Sequence, residues 1–119
     1  MRMRIVMFGL LAALAGAIPA EAETMYPAAE AFQHVGQTVT ITGVLTNTHV
    51  SKGHTLYLDV GGTYPANPFE GVIFQHGSAS LPDFRPIIGK VVAITGEVKM
   101  YHGKPQIVVD SSDQIKFAR

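Results

Sequence analysis

Two stretches of the chain share one alternation of polar and apolar residues. The segments GQTVTITG at residues 36–43 and GKVVAITG at residues 89–96 each begin and end on glycine, with β-branched residues concentrated between. Alternation with a period of two on Val, Ile and Thr is typical of a strand with one buried face. The interior glycines, Gly43 and Gly96, predict a bulge or sharp bend at the same place in both strands.

The segments around the first strand predict a short helix and a hairpin. Pro27 and Gly36 bound an amphipathic stretch, which predicts one or two helical turns over residues 27–34. A polar turn at residues 49–54 leads into a second strand at residues 55–60, whose leucines and valine alternate onto one face.

The remaining segments predict strands at residues 71–74, 90–101 and 105–109. Two prolines limit residues 78–89 to a short helix or turns, and His102 with Gly103 forms a tight turn between the last two strands. Five strands, bent in the first and fourth, give an all-β class with a short helix. The expected architecture is the OB fold, a five-stranded Greek-key barrel, since a sandwich needs more strands.

The N-terminus predicts export. Two arginines precede an apolar run over residues 5–18, and Ala20 and Ala22 form a small-x-small cleavage site, which is typical of a secretory signal peptide over residues 1–22. We therefore expect one OB-fold domain over residues 23–119 that is periplasmic or secreted. The run is shorter than a transmembrane helix requires.

Composition narrows the function classes. The chain contains no cysteine, so disulfides cannot stabilise it. Without residues 1–22, seven Lys and Arg face eight Asp and Glu, a formal charge of about −1 with neutral histidines. Such a domain lacks the strong positive charge of most tight nucleic-acid binders, so its few cations must be clustered to bind one well.

At this point the chain resembles small exported bacterial OB-fold domains that are predicted to bind nucleic acid and occur alone or joined to secreted nucleases. The segments that carry the resemblance cover nearly all of residues 23–119. They are GQTVTITGV at 36–44, TLYLDVGG at 55–62, YPANPF at 64–69, VIF at 72–74, GKVVAITG at 89–96 and GKPQI at 103–107. The resemblance implies an OB barrel and a nucleic-acid ligand.

The sequence gives little support for catalysis or metal binding. The histidines show no recognised ligand spacing, although two of them are placed to meet across a hairpin turn, and we expect no metal or other cofactor. The five histidines are His34, His49, His54, His76 and His102. The pair placed to meet across the hairpin turn is His49 and His54. The carboxylates are scattered, and beyond the signal peptide only Arg85 and Arg119 are available, so the site of staphylococcal-type nucleases is missing. We expect no enzyme activity.

The predicted function is a binding module that uses the usual OB ligand face. Aromatic rings beside cations can stack bases and contact phosphates. The candidate ligand-binding residues are Lys52, His54, Tyr57, Tyr64, Tyr101 and Lys104. Single-stranded nucleic acid or another anionic oligomer is the expected partner.

Alternatives remain open. The same face can bind an envelope protein or a small molecule, and the domain can be an accessory to a metal-dependent enzyme. The tyrosines can instead pack over the barrel rim beside solvated lysines. The stiff loop at residues 64–69 is either a recognition loop or a cover for the barrel, with Phe69 in the core.

Overall fold

The computed structural model describes residues 24–75 and 81–117. The predicted signal peptide, His76 and the start of the segment at residues 78–89 lie outside the described residues. Within the described ranges, no helix has the length and apolar character needed to cross a membrane.

The described residues form eight strands and three short 3-10 helices. The strands are β1 (Met25–Pro27), β2 (Thr38–Val50), β3 (Leu56–Val60), β4 (Phe69–Ile73), β5 (Val91–Glu97), β6 (Lys99–Tyr101), β7 (Lys104–Val108) and β8 (Ile115–Phe117). The helices are Ala28–His34, Arg85–Ile87 and Ser112–Gln114. The predicted turns at residues 27–34 therefore form as a 3-10 helix.

The strands make one sheet in the order β6-β7-β4-β3-β2-β5-β8, and β1 pairs with β2 in parallel. The predicted β-rich class with short helices is confirmed. The predicted count of five strands is not confirmed, because the described residues form eight. The short strands β1 and β8 are additional, and the predicted fourth strand is divided into β5 and β6.

The division of the fourth strand lies at Val98. This residue is fully buried, and its N–H donates to the carbonyl of Gln37 at 3.0 Å while its carbonyl accepts from Gly36 at 2.8 Å. On one side of Val98, β5 pairs with β2; on the other, β6 pairs with β7. One nearly continuous stretch of chain therefore pairs with two different strands of the sheet.

A bulge, one of the two features predicted at Gly43 and Gly96, does not occur in the β2–β5 ladder. The antiparallel pairing of β2 with β5 continues without a shift through Gly43, opposite Val92, and through Gly96, opposite Val39. The register shift lies instead between Leu45 and Asn47, where β2 pairs with β3.

The two glycines are needed for close packing. A Cβ atom at Gly43 would lie 2.9 Å from Cγ1 of Val60, and one at Gly96 would lie 2.6 Å from Cγ2 of Ile107. Both distances are shorter than real Cβ contacts, so the absence of a side chain lets neighbouring elements approach.

The core lies on one face of the curved sheet. Ile41, Leu58, Ile94 and Ile107 are fully buried, and Ala31 of the first 3-10 helix packs against the same cluster. Phe69 is also fully buried, as predicted.

The two hairpins differ in how well the sequence predicted them. His102 and Gly103 have φ angles of 50° and 77°, the positive pair that a two-residue hairpin turn requires, so that turn is confirmed. The first hairpin turn is shorter than predicted, because β2 continues to Val50 and includes His49.

Candidate functional site

One cleft of about 480 Å³ opens on the sheet face opposite the core. Its size falls within the range of pockets that bind small ligands. Its walls come from β2, β3, β4, the loop before β4 and the β6–β7 hairpin. We call it the aromatic cleft; it is lined by His49, Ser51, Tyr57, Tyr64, Pro65, Glu70, Tyr101, His102 and Lys104.

Aromatic rings dominate the walls. His49 and Tyr57 are directly opposite in the β2–β3 ladder, and their rings stack with centroids 5.0 Å apart. Tyr64 is tilted against His49 at 5.2 Å, and on the hairpin Tyr101 stacks on His102 at 3.9 Å. Tyr64 and Tyr101 remain 59% and 49% exposed, so these rings are available to a ligand rather than packed over a core.

Asp59 lies behind His49 and is fully buried. Its Oδ2 is 3.4 Å from Nδ1 of His49 and has no hydrogen-bond partner, while Oδ1 accepts a long bond from Asn67 at 3.4 Å. Burial raises the pKa of the Asp59 carboxyl, and the nearby His49 only partly opposes the rise. The contact turns Nδ1 of His49 toward Asp59, which leaves Nε2 as the ring nitrogen available to a ligand.

Glu70 is the acidic group of the cleft itself. It is 6% exposed, and Nε2 of Gln106 donates to its Oε2 at 2.9 Å. The sheet register places Glu70 opposite Asp59 on one side and opposite Gln106 on the other. Burial raises the pKa of Glu70, against the smaller opposing effects of the Gln106 bond and Lys104.

Lys104 connects the cleft to the loop before β4. Its Nζ donates to Oδ1 of Asn67 and, at 2.9 Å, to the carbonyl of Pro65, and it lies 5.1 Å from the centre of the Tyr64 ring. Asn67 is buried and donates to the carbonyl of Phe69 at 3.1 Å. These bonds hold the loop, in which the Tyr64–Pro65 peptide is cis, against the sheet. Two of the three ammonium hydrogens are used in this way, which leaves one for a ligand.

The structure brings four of the six predicted ligand-binding residues together in the cleft: Tyr57, Tyr64, Tyr101 and Lys104. The other two, Lys52 and His54, are exposed in the turn between β2 and β3 and do not line it.

His49 and Glu70 line the cleft but were not predicted as ligand-binding residues from the sequence. His49 was assigned to a turn, but it lies in β2 opposite Tyr57 and lines the cleft, whereas His54 lies in the turn and does not line it. Glu70 was one of several scattered carboxylates, and only the pairing of β3 with β4 brings it beside Asp59. Alternation along β3 was the available clue, because it puts Asp59 on the same face as Tyr57.

The described histidines and carboxylates do not form a metal site. No group of three or more His, Asp or Glu side chains suited to one metal ion occurs within residues 24–75 and 81–117.

Comparisons with known proteins concern the fold. No family model and no curated protein sequence matches the chain. Among solved structures, a protein assigned as an aspartyl-tRNA synthetase from Leishmania major Friedlin superposes with a TM-score of 0.53 at 13% identity, over 89% of this chain. The chain spans only 23% of that protein's length.

A second structure, a protein assigned as a nucleic acid-binding lipoprotein from Klebsiella pneumoniae, has a TM-score of 0.45 at 14% identity, over 88% of this chain and 100% of the other. At such identities a similar fold does not carry a shared function.

Proposed function

We propose that this chain is an exported, non-enzymatic binding module of the OB type whose aromatic cleft holds unpaired bases of a single-stranded nucleic acid. The observation that carries the proposal is the cleft itself, where Tyr64 and Tyr101 expose ring surface beside one ammonium group. Stacking of bases on such rings is the main sequence-tolerant contribution to single-strand binding.

The strand pairing supports an OB-type barrel. In that fold the first strand pairs with both the second and the fourth, and the fifth lies between the third and the fourth. Here β2 pairs with β3 and β5, and β7 lies between β4 and β6. If β5 and β6 are counted as one strand interrupted at Val98, the pairings make a closed ring. The short β1 and β8 then extend its rim.

The charges of the cleft favour bases over phosphates. Lys104 is already bound to the loop, while Glu70 and Asp59 contribute two carboxylates nearby. A polyanion without rings would meet more negative than positive charge here, which disfavours other anionic oligomers. We infer that bases enter the cleft while phosphates stay at its rim.

A second candidate is a small ring-shaped ligand such as a nucleoside or a sugar. The volume of about 480 Å³ and the buried carboxylate of Glu70 favour it, because a neutral ligand would meet no like charge.

Binding of labelled single-stranded octamers, followed by fluorescence anisotropy at low and moderate salt, tests the leading proposal. We expect binding that is lost in Tyr64→Ala and retained in Phe32→Ala. Phe32 is the matched control, because it is an aromatic residue that is 61% exposed and lies outside the cleft. A duplex of the same sequence should bind more weakly, since its bases are already stacked.

Absence of binding at low salt would exclude the nucleic-acid proposal. Equal losses in the Tyr64 and Phe32 variants would show that the cleft is not where the strand binds.

A further inference from the structure

The floor of the aromatic cleft combines a buried acceptor with an adjacent donor. Resting on the proposed function, we propose that the cleft is selective for guanine. In this arrangement Glu70 accepts hydrogen bonds from N1–H and N2–H of the base, and Lys104 donates one to O6.

Glu70 is fixed as an acceptor. Its side chain lines the cleft although the residue is only 6% exposed, and the 2.9 Å bond from Gln106 fixes Oε2. Gln106 is its direct partner in the β4–β7 register, so the carboxylate is held by the sheet rather than by a mobile loop. An ionised carboxylate accepts through both oxygens and can receive two parallel donors while it keeps the bond to Gln106.

Lys104 is fixed as a donor next to this acceptor. It lies two residues before Gln106 on β7, so strand alternation puts the two side chains on the same face. Its ammonium is held by Asn67 and Pro65 and lies over the Tyr64 ring, 5.1 Å from the ring centre. Glu70 and Lys104 both line the cleft, so a base that enters it meets an acceptor and a donor together.

Guanine offers the edge that uses both groups fully. Its N1–H and N2–H are neighbouring donors that match one carboxylate, and its O6 is an adjacent acceptor for the ammonium. Adenine and cytosine present one amino donor beside a ring nitrogen acceptor, so a carboxylate gains one bond and faces a lone pair. Thymine presents one N–H between two carbonyls, which face the carboxylate unfavourably.

The buried acid also explains why selectivity is expected to be strong. A wrong base leaves part of this buried acceptor without a hydrogen-bond donor. An unsatisfied buried polar group makes the free energy of binding less favourable, so the wrong base binds more weakly. From the usual discrimination of a bidentate contact, we expect guanine to bind roughly 10-fold more tightly than the other bases.

The test uses labelled thymidine octamers in which one central position is guanine, inosine, adenine, cytosine or thymine. A single guanine avoids association of guanine-rich strands. Inosine is the matched ligand control because it keeps N1–H and O6 but lacks the N2 amino group. Affinities are measured for the wild type, for Glu70→Gln and for Glu97→Gln; Glu97 is an exposed carboxylate on β5 outside the cleft.

We expect the order guanine, then inosine, then the other bases, with the preference lost in Glu70→Gln and kept in Glu97→Gln. Affinity for the all-thymidine octamer should be unchanged or higher in Glu70→Gln, which shows that the variant still folds and stacks bases. Thermal melting of the variant provides the second check on folding.

The outcomes are distinguishable. Equal binding of all five octamers by the wild type, or a guanine preference that persists in Glu70→Gln, overturns the guanine proposal and leaves the single-strand function intact. Absence of binding to every octamer overturns both.

Discussion

The two acidic side chains at the aromatic cleft are the residues whose placement is least favourable for folding. Asp59 is fully buried and Glu70 nearly so, yet one oxygen of Asp59 has no hydrogen-bond partner. Burying a carboxylate without full compensation destabilises the folded state. Such local conflicts are expected at functional sites.

Replacement of Asp59 by Asn tests that cost. The pKa of Asp59 is raised in the folded state, so the folded protein binds the proton more tightly than the unfolded chain does. The penalty is therefore absent below the unfolded pKa and complete above the folded one, and stability falls as pH rises between them. We expect Asp59→Asn to raise the free energy of unfolding at pH 7 and to weaken its pH dependence in that window.

Urea unfolding between pH 4 and pH 7.5 measures both effects. Asp110→Asn is the control, because Asp110 is an exposed acid outside the cleft. A loss of stability at pH 7 in Asp59→Asn would mean that the contact of the carboxylate with His49 outweighs the burial penalty.

Tyr57 is a further single residue whose role can be tested, because it lies on β3 and lines the cleft. It is half-buried, stacks on His49 and lies outside the core cluster. We expect Tyr57→Ala to lower single-strand affinity by about 1–3 kcal/mol, the usual loss for one stacked base, with a small change in melting temperature. Unchanged affinity in a folded variant would contradict a stacking role.

Among the elements, β2 determines most of the architecture. It is thirteen residues long and pairs with β1, β3 and β5, so its N-terminal half belongs to one ladder and its C-terminal half to another. The change of register near Thr46 separates these halves, and the Thr46 hydroxyl donates to the backbone carbonyls of Asp59 and Gly62. Gly43 lies near this change of register and lets β2 approach Val60 of β3 closely.

Substitutions at the closely packed glycines test this arrangement. Gly43→Val and Gly96→Val should each destabilise the fold by about 1–3 kcal/mol, because their side chains would overlap Val60 and Ile107 respectively. Denaturant unfolding provides the measurement.

Gly53→Ala is the matched control. A Cβ atom there meets only Oγ of Ser51, at 3.8 Å, so we expect little change in stability. Neutral effects of valine at both Gly43 and Gly96 would be incompatible with the packing described.

For the whole molecule, charge predicts a shallow dependence of binding on salt. The formal net charge of the chain is zero, and the exposed Lys52 is the cation that we place near the phosphates of a bound strand, because Lys104 is assigned to a base. With about one phosphate contact, log affinity should fall against log salt with a slope of roughly −0.7. Lys52→Ala should make the slope shallower by about 0.7 without changing the melting temperature.

A salt series with oligonucleotides measures both slopes. A slope that is steep in the wild type would indicate a larger phosphate-binding surface than the cleft provides. A slope near zero in the wild type would favour the small-molecule or protein-partner alternatives.

The predicted export also concerns the whole molecule. The N-terminal pattern predicts that the protein produced by its native host begins at or near Glu23, after cleavage behind Ala22. Intact-mass measurement of the purified protein checks this. A mass that retains Met1 would contradict the predicted signal peptide.

Local patterns in the sequence determined the elements. Alternation located β2, β3 and β5, and the His102–Gly103 turn followed from the backbone angles that such a hairpin needs. The outward face of Tyr57 follows from the same periodicity, because it depends only on neighbours along the chain.

Only the tertiary structure determined which residues are neighbours in space. The division at Val98 and the role of Gly43 depend on atoms distant in sequence, so no local pattern contains them. The same is true of Glu70 and Gln106, which meet because β4 and β7 pair in parallel, thirty-six residues apart. Strand register is a long-range property, and it is register that turned scattered carboxylates and aromatic residues into one cleft.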